Sequence, residues 1–216
     1  MALGMCQAIS TLKEENMNVK TAIESRRAVR KLDPAHMISE DEIRELMSLT
    51  MLSPTAFNIQ HWRFVLVRDQ ALREQIRAAC WMQPQITDAS LLVVICADVK
   101  AWQKSPERYW QTAPAEVRAG LLEGIRQHYE GRESFQVEEA MRSCGIAAQT
   151  LMLAAQSMGY NTSPMDLGDV DAVAKLINLP EDHVIAMYVA VGKGTDAAWP
   201  RGGQLAYDEV VKMERF

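Results

Sequence analysis

Residues 91–97 read LLVVICA, an unbroken apolar run. A half-buried strand alternates apolar with polar residues and an amphipathic helix repeats every third or fourth, so a short run without interruption describes a strand covered on both faces. A second run, VIAMYVAVG at 184–192, has the same character, and FVLV at 64–67 is a shorter one. All are far below the roughly 20 residues that a membrane span requires. A central sheet sandwiched by helices, in an α/β or α+β arrangement, is the expectation.

Helical patterns flank these runs. A first helix is expected from Val19 to Leu32, burying Ala22, Ile23 and Val29, and stopping before Asp33-Pro34. On this helix Arg26 and Arg30 would share a face. Ser39 followed by Glu42 is a capping box, which places Ile43, Leu46, Met47 and Thr50 on one stripe of a helix ending at Ser53-Pro54. Asp69 caps a third helix carrying Leu72, Ile76 and Ala79. A helix from Val137 to Met158 is rich in alanine and suits close packing, either at the centre of the fold or at a subunit interface. A short helix follows at 170–178. Residues 99–135 mix Trp102, Tyr109, Trp110, His128, Tyr129 and Phe135 with charges and prolines, and read as an excursion from the core. The polar tail after Gly192 has too few apolar residues for a core of its own, so it should wrap over another surface.

The chain has 216 residues, 48% of them hydrophobic, without repeats or a linker, which fits one domain over 1–216. Its net charge is −5 and its lysines and arginines are scattered, so nucleic acid and anionic membranes are disfavoured partners. The first twenty residues lack a basic start and an apolar segment, and a cytoplasmic location is expected. Cys6, Cys80, Cys96 and Cys144 form no CxxC pair and are expected as reduced, mostly buried thiols. His36, His61, His128 and His183 are scattered with no HExxH, so no metal site is expected.

Four places join polar side chains to a break in regular structure. Arg26, Arg27 and Arg30 could grip a phosphate, although a solvated basic face fits the same spacing. In LSPTAFNIQHW, residues 52–62, Asn58 and Gln60 can donate and accept at the edge of a heterocycle, while Pro54, Thr55 and Ala56 let backbone approach a flat ligand. A turn capping the preceding helix explains those residues equally well. SPMDLGD at 163–169 could aim backbone amides into a site or simply connect two elements, and Arg201 is a lone cation in the tail. VGKGTD lacks the upstream glycine of a P-loop, Asn161-Thr162-Ser163 is a glycosylation sequon only in a secreted chain, and no Ser-His-Asp order or nucleophile elbow is present.

Taken in order, ESRRAVRKLD, LSPTAFNIQHWRFVLV, ITDASLLVVICAD, SPMDLGD and VAVGKG…WPR resemble the nitroreductase family of flavoproteins over roughly residues 20–205. RRAVR and SPTAFNIQHW match in both residue type and separation. The resemblance implies an α+β three-layer sandwich with a central mixed, mainly antiparallel sheet flanked by helices. It also implies an intertwined homodimer, with FMN at the interface and the C-terminal tail extending onto the partner subunit. It assigns Arg26, Arg27, Arg30 and Arg201 to the phosphate and the pyrimidine side of the flavin. It assigns Pro54, Thr55, Ala56, Asn58 and Gln60 to the cofactor across the interface, and Met165, Asp166 and Leu167 to backbone beside N5. Gln83 and Gln85 are further cofactor candidates. Three departures stand out: Ala28 where serine is frequent, His61 where proline is usual, and Gly168 one place later than the glycine beside N5.

The activity implied is ping-pong reduction of nitroaromatics, quinones or related acceptors with NADH or NADPH. The flavin carries that chemistry, which accounts for the absence of a triad. The excursion at 99–135 would cover the acceptor site, with Trp102, Tyr109 and Trp110 as stacking surfaces, or else form a satellite cluster on the core. A flavin carrier or a protein of flavin breakdown, without turnover of NAD(P)H, is the alternative, and a colourless dimeric module is a third.

Overall fold

The computed structural model describes residues 17–166 and 168–216. Four strands, β1 (Trp62–Val67), β2 (Leu91–Asp98), β3 (Asn161–Met165) and β4 (His183–Gly192), form one antiparallel sheet in the order β1-β2-β4-β3. The isolated bridge between Ala28 and Thr162 adds a parallel pairing at the β3 edge.

Every residue of β2 is buried, as the run LLVVICA predicts. Because strand side chains alternate between faces, Leu91, Val93, Ile95 and Ala97 enter one core, and Leu92, Val94 and Cys96 enter the other. Helices α2 (Glu40–Thr50) and α6 (Glu133–Ser157) cover the first face, the latter through Ala140, Cys144, Ala147, Ala148 and Leu151. Helices α3 (Gln70–Ala79), α4 (Gln85–Asp88) and α7 (Val170–Leu176) cover the second with Ile76, Ile86 and Val173. The result is the expected three-layer α+β sandwich.

The capping box of α2 is formed: Glu42 N–H donates to Ser39 Oγ, and Ser39 N–H donates back to Glu42 Oε2. Asp69 caps α3 by accepting from Leu72 N–H. Arg73, whose burial the helical stripe does not announce, spans the α3–sheet junction and donates to the carbonyls of Val67, Ala89 and Ser90. Three carbonyl acceptors offset the cost of burying its guanidinium.

The first helix is shorter than the sequence predicts. α1 covers Val19–Ser25, and Arg26 already has ψ 132°, outside the helical region. Arginine is a good helix former, but Val29 N–H finds the Thr162 carbonyl at 3.0 Å and Asp33 N–H the Lys193 carbonyl at 2.8 Å. Those tertiary bonds draw residues 26–33 along the sheet edge and override propensity. Arg26 and Arg30 therefore do not share a helix face. α6 begins four residues before the expected Val137, and Asn161–Met165 forms an edge strand where only a connection is expected. Pro164 is tolerated there because an edge strand can present its proline outward.

The excursion consists of two 3-10 turns, Ala101–Gln103 and Pro106–Trp110, and helix α5 (Ala115–Tyr129). It has its own small core of Ile59, Ala101, Trp102, Ile125 and Tyr129, with Phe57, Tyr109, Trp110 and Phe135 packed around it. The tail ends in a short helix, α8 (Tyr207–Val210), and all of residues 199–216 are exposed. Cys6 lies outside the described residues; Cys80, Cys96 and Cys144 are buried and form no disulfide among the described residues. Among the described residues no helix is long and apolar enough to cross a membrane.

Candidate functional site

The turn from helix to extended chain at Arg26 brings the first basic cluster against the tail. Residues 26–31 and 196–202, with Gln204, line a cavity of about 550 Å³. Arg201 reaches in from the tail, and its Nη2 donates to the carbonyls of Ile23 at 2.8 Å and Arg26 at 3.3 Å. Arg27 Nη1 donates to the carbonyls of Glu24 at 2.8 Å and Arg26 at 2.9 Å. Both guanidiniums thus meet carbonyls left over at the C-terminus of α1, where cations are favoured.

Arg26 differs from these two. Its Nη1 is buried and has no hydrogen-bond partner. Burial, followed by the neighbouring cations of Arg201 and Arg27, lowers its pKa from the ordinary arginine value. Among the described residues, none of Arg26, Arg27, Arg30 and Arg201 pairs with a carboxylate, and the acid of the cavity wall, Asp196, is already held by Lys31 at 2.6 Å. A cluster of guanidiniums with an unused buried donor suits a multivalent anion, a phosphate above all. Arg30 lies over the ring of Trp199 at 5.7 Å, so an aromatic wall adjoins the basic one. Trp199, 79% exposed, was not among the sequence candidates; its place beside Pro200-Arg201 is the only signal it carries.

The remaining candidates stand apart from this cavity within one chain, since none of residues 54–60, 83, 85, 165 or 166 lines it. Thr55, Ala56, Asn58 and Gln60 lie on a turn in which Phe57, Asn58 and Gln60 all have positive φ, between 51° and 54°. Thr55 Oγ1 accepts from Gln60 N–H at 2.9 Å, and Pro54 is exposed beside it. Gln85 is buried in α4 and Gln83 half-buried just before it, with their amides 3.5 Å apart. The Met165 side chain belongs to the second core, which leaves only its backbone for a ligand. Asp166 is exposed, and Leu167 lies outside the described residues. Gly168 has φ 58°, and a Cβ there would come within 2.5 Å of the Ala79 carbonyl. Its displaced position in the motif therefore has a packing reason: the chain must pass close to the end of α3.

Trp102 is buried and stacks on Tyr129 at 5.9 Å between centroids, so its ring is used in the excursion's core. Tyr109 and Trp110 are half-buried. His61 is fully buried, 3.3 Å from Ser143 Oγ through Nδ1, and burial pushes its pKa down to about 4. Asp98, Asp182 and His183 gather at one end of the sheet, but Lys104 bridges the two carboxylates at 2.9 and 2.6 Å and Arg63 binds Asp98 at 3.0 Å. The cations that these acids need are thus side chains.

The sequence profile described as the Nitroreductase family matches residues 23–193. The chain belongs to the nitroreductase family. Protein DrgA of Synechocystis sp. is 47% identical over 182 residues, covering 84% of this chain and 87% of DrgA. MhqN of Bacillus subtilis, provisionally named an NAD(P)H nitroreductase, is 27% identical over 88% of this chain and 96% of its own length. A nitroreductase, provisionally named, from Exiguobacterium sibiricum, solved in complex with FMN, superposes with a TM-score of 0.85 at 25% identity, covering 92% of this chain and 98% of that one. The family match thus spans the sandwich, the excursion and the Arg26–Lys31 side of the basic cavity.

Proposed function

We propose that this nitroreductase-family chain is an FMN-dependent oxidoreductase. It draws electrons from NADH or NADPH and delivers them to small oxidised acceptors, nitroaromatics and quinones among them, by a ping-pong cycle in a cytoplasmic homodimer. The observation that carries the reading is the buried, unpartnered Arg26 Nη1 inside a four-arginine cavity. The FMN-bound structural relative supports the cofactor, and the name of the Bacillus relative supports the nicotinamide.

Bound FMN supplies the hydride chemistry itself. The chain's task is to bind, orient and tune. Arg26 and Arg201 hold the phosphate, Arg27 adds positive potential toward the reduced ring, and Arg30 with Trp199 closes the wall. Asn58 and Gln60 offer amide donors and acceptors to the heteroatom edge, with Pro54, Thr55 and Ala56 bringing backbone close and Gln83 and Gln85 as further polar contacts. The backbone of Met165 and Asp166 borders the reacting side. These groups converge only when a second subunit supplies its loop, and the tail then crosses onto that partner. Residues 99–135 cover the acceptor side.

Flavin content tests this directly. Protein with Arg26→Ala and Arg201→Ala is expected to purify without FMN while keeping its fold, and an unchanged flavin content would remove the phosphate assignment.

A further inference from the structure

The turn at 55–60 and the excursion are joined by two hydrogen bonds, one of them from an indole. Trp110 Nε1 donates to the carbonyl of Phe57 at 3.0 Å, and Asn58 Nδ2 donates to the carbonyl of Tyr109 at 3.3 Å. These bonds span more than fifty residues of sequence and end on the turn where Phe57, Asn58 and Gln60 all have positive φ. Asparagine tolerates the left-handed region, and Gln60 Nε2 donates locally to the Asn58 carbonyl and Oδ1 at 3.3 Å, whereas phenylalanine has no such compensation. A backbone of this kind persists only where its surroundings over-determine it.

We infer that Trp110 is a positioning residue: its indole N–H holds the turn at 55–60 in the left-handed backbone from which Asn58 and Gln60 meet the cofactor. The inference rests on the proposed function for the words "meet the cofactor"; the latch itself rests on geometry. Other features fit it. Trp110 is half-buried, so its ring face is partly committed to the excursion's core, and its polar atom is the part that reaches the turn. Phe57 is gripped from the other side by His128, 5.5 Å between centroids, and by Tyr129 at 6.4 Å. The Tyr109 hydroxyl is itself tied to the Ala101 carbonyl at 3.3 Å. The turn and the excursion therefore behave as one unit, and an acceptor that shifts Pro106–Trp110 also shifts the amides of Asn58 and Gln60.

The test compares Trp110→Phe, which keeps a ring and removes the N–H, with Trp110→Ala, which also removes the packing. Hydrogen exchange at the amides of Asn58, Ile59 and Gln60 is measured without added FMN, and the FMN dissociation constant and bound-flavin absorption spectrum are measured by titration. In Trp110→Phe, exchange is expected to quicken, the dissociation constant to rise about 5- to 10-fold, the worth of one hydrogen bond, and the bound-flavin spectrum to shift. A packing role alone would leave Trp110→Phe like wild type and affect only Trp110→Ala, which overturns the inference. Faster exchange with unchanged FMN affinity and spectrum overturns the cofactor half of it. If wild type takes up no FMN, the proposed function fails, and faster exchange in Trp110→Phe still supports the latch.

Discussion

Arg201 Nη2 donates to the carbonyl of Ile23 at 2.8 Å, so a tail that is solvent-exposed from residue 199 onward is pinned to the end of the first helix. That bond turns two distant segments into one basic wall. It also gives Arg201 two roles, closing the cavity and adding charge to it.

The roles separate by substitution. Arg201→Lys keeps the charge but loses the fork that spans neighbouring carbonyls, and is expected to weaken FMN binding about tenfold; Arg201→Ala should weaken it further. Fluorescence titration at two salt concentrations checks this. The affinity of wild type should fall with salt, and that of Arg201→Ala should fall less steeply, because one partly exposed cation has been removed.

Gly168→Ala is expected to destabilise the fold by about 1–3 kcal/mol, since the new Cβ meets backbone at 2.5 Å in a left-handed conformation. Urea unfolding measures it. A loss below a few tenths would mean that the chain does not pass α3 so closely.

His61 makes stability depend on pH. Its folded pKa, about 4, is depressed below the ordinary 6.5 by burial, partly offset by Asp98. In the unfolded chain it protonates first, so the unfolded state binds more protons between those values and stability falls as pH drops from about 6.5 toward 4. The full effect is on the order of 3 kcal/mol. His61→Phe should flatten this window in urea titrations at pH 7 and 5, whatever its effect at neutral pH.

Glu42 acts in a lower window. Hydrogen bonds from Ser39, then from Tyr160, hold its carboxyl down at about 2, so its contribution is present above the ordinary carboxylate range and is lost as pH falls toward 2. Removing the cap with Ser39→Ala should cost about 1 kcal/mol at pH 7. Tyr160→Phe, which removes the 2.7 Å bond to Glu42, should cost a similar amount. Thermal unfolding of both variants at pH 7 reads the two contributions.

The sheet was legible because β2 is apolar from Leu91 to Ala97, a pattern that burial on both faces explains and little else does. The capping box of α2 and the cap of α3 were legible because they are local chemistry. The end of α1 was not: Arg26 to Arg30 look helical, and only the pairing of Val29 with Thr162, more than a hundred residues away, makes them extended. β3 was hidden for a related reason, since Pro164 marks a connection in sequence and an outward-facing edge in space. The arginines that line the cavity were singled out by residue type and assigned to a phosphate by the family resemblance, not by spacing, and their geometry comes from an extended chain. Trp110 was read as a stacking surface, and its hydrogen bond to Phe57 could not be seen from spacing at all.

The visible spectrum of the purified protein, recorded before and after NADH or NADPH and again after a nitroaromatic or quinone is added, tests the central claim most directly. The account predicts a yellow protein that bleaches with the nicotinamide and recovers its colour with the acceptor. A colourless protein that takes up no FMN, or a flavin-loaded one that neither nicotinamide bleaches, would contradict it.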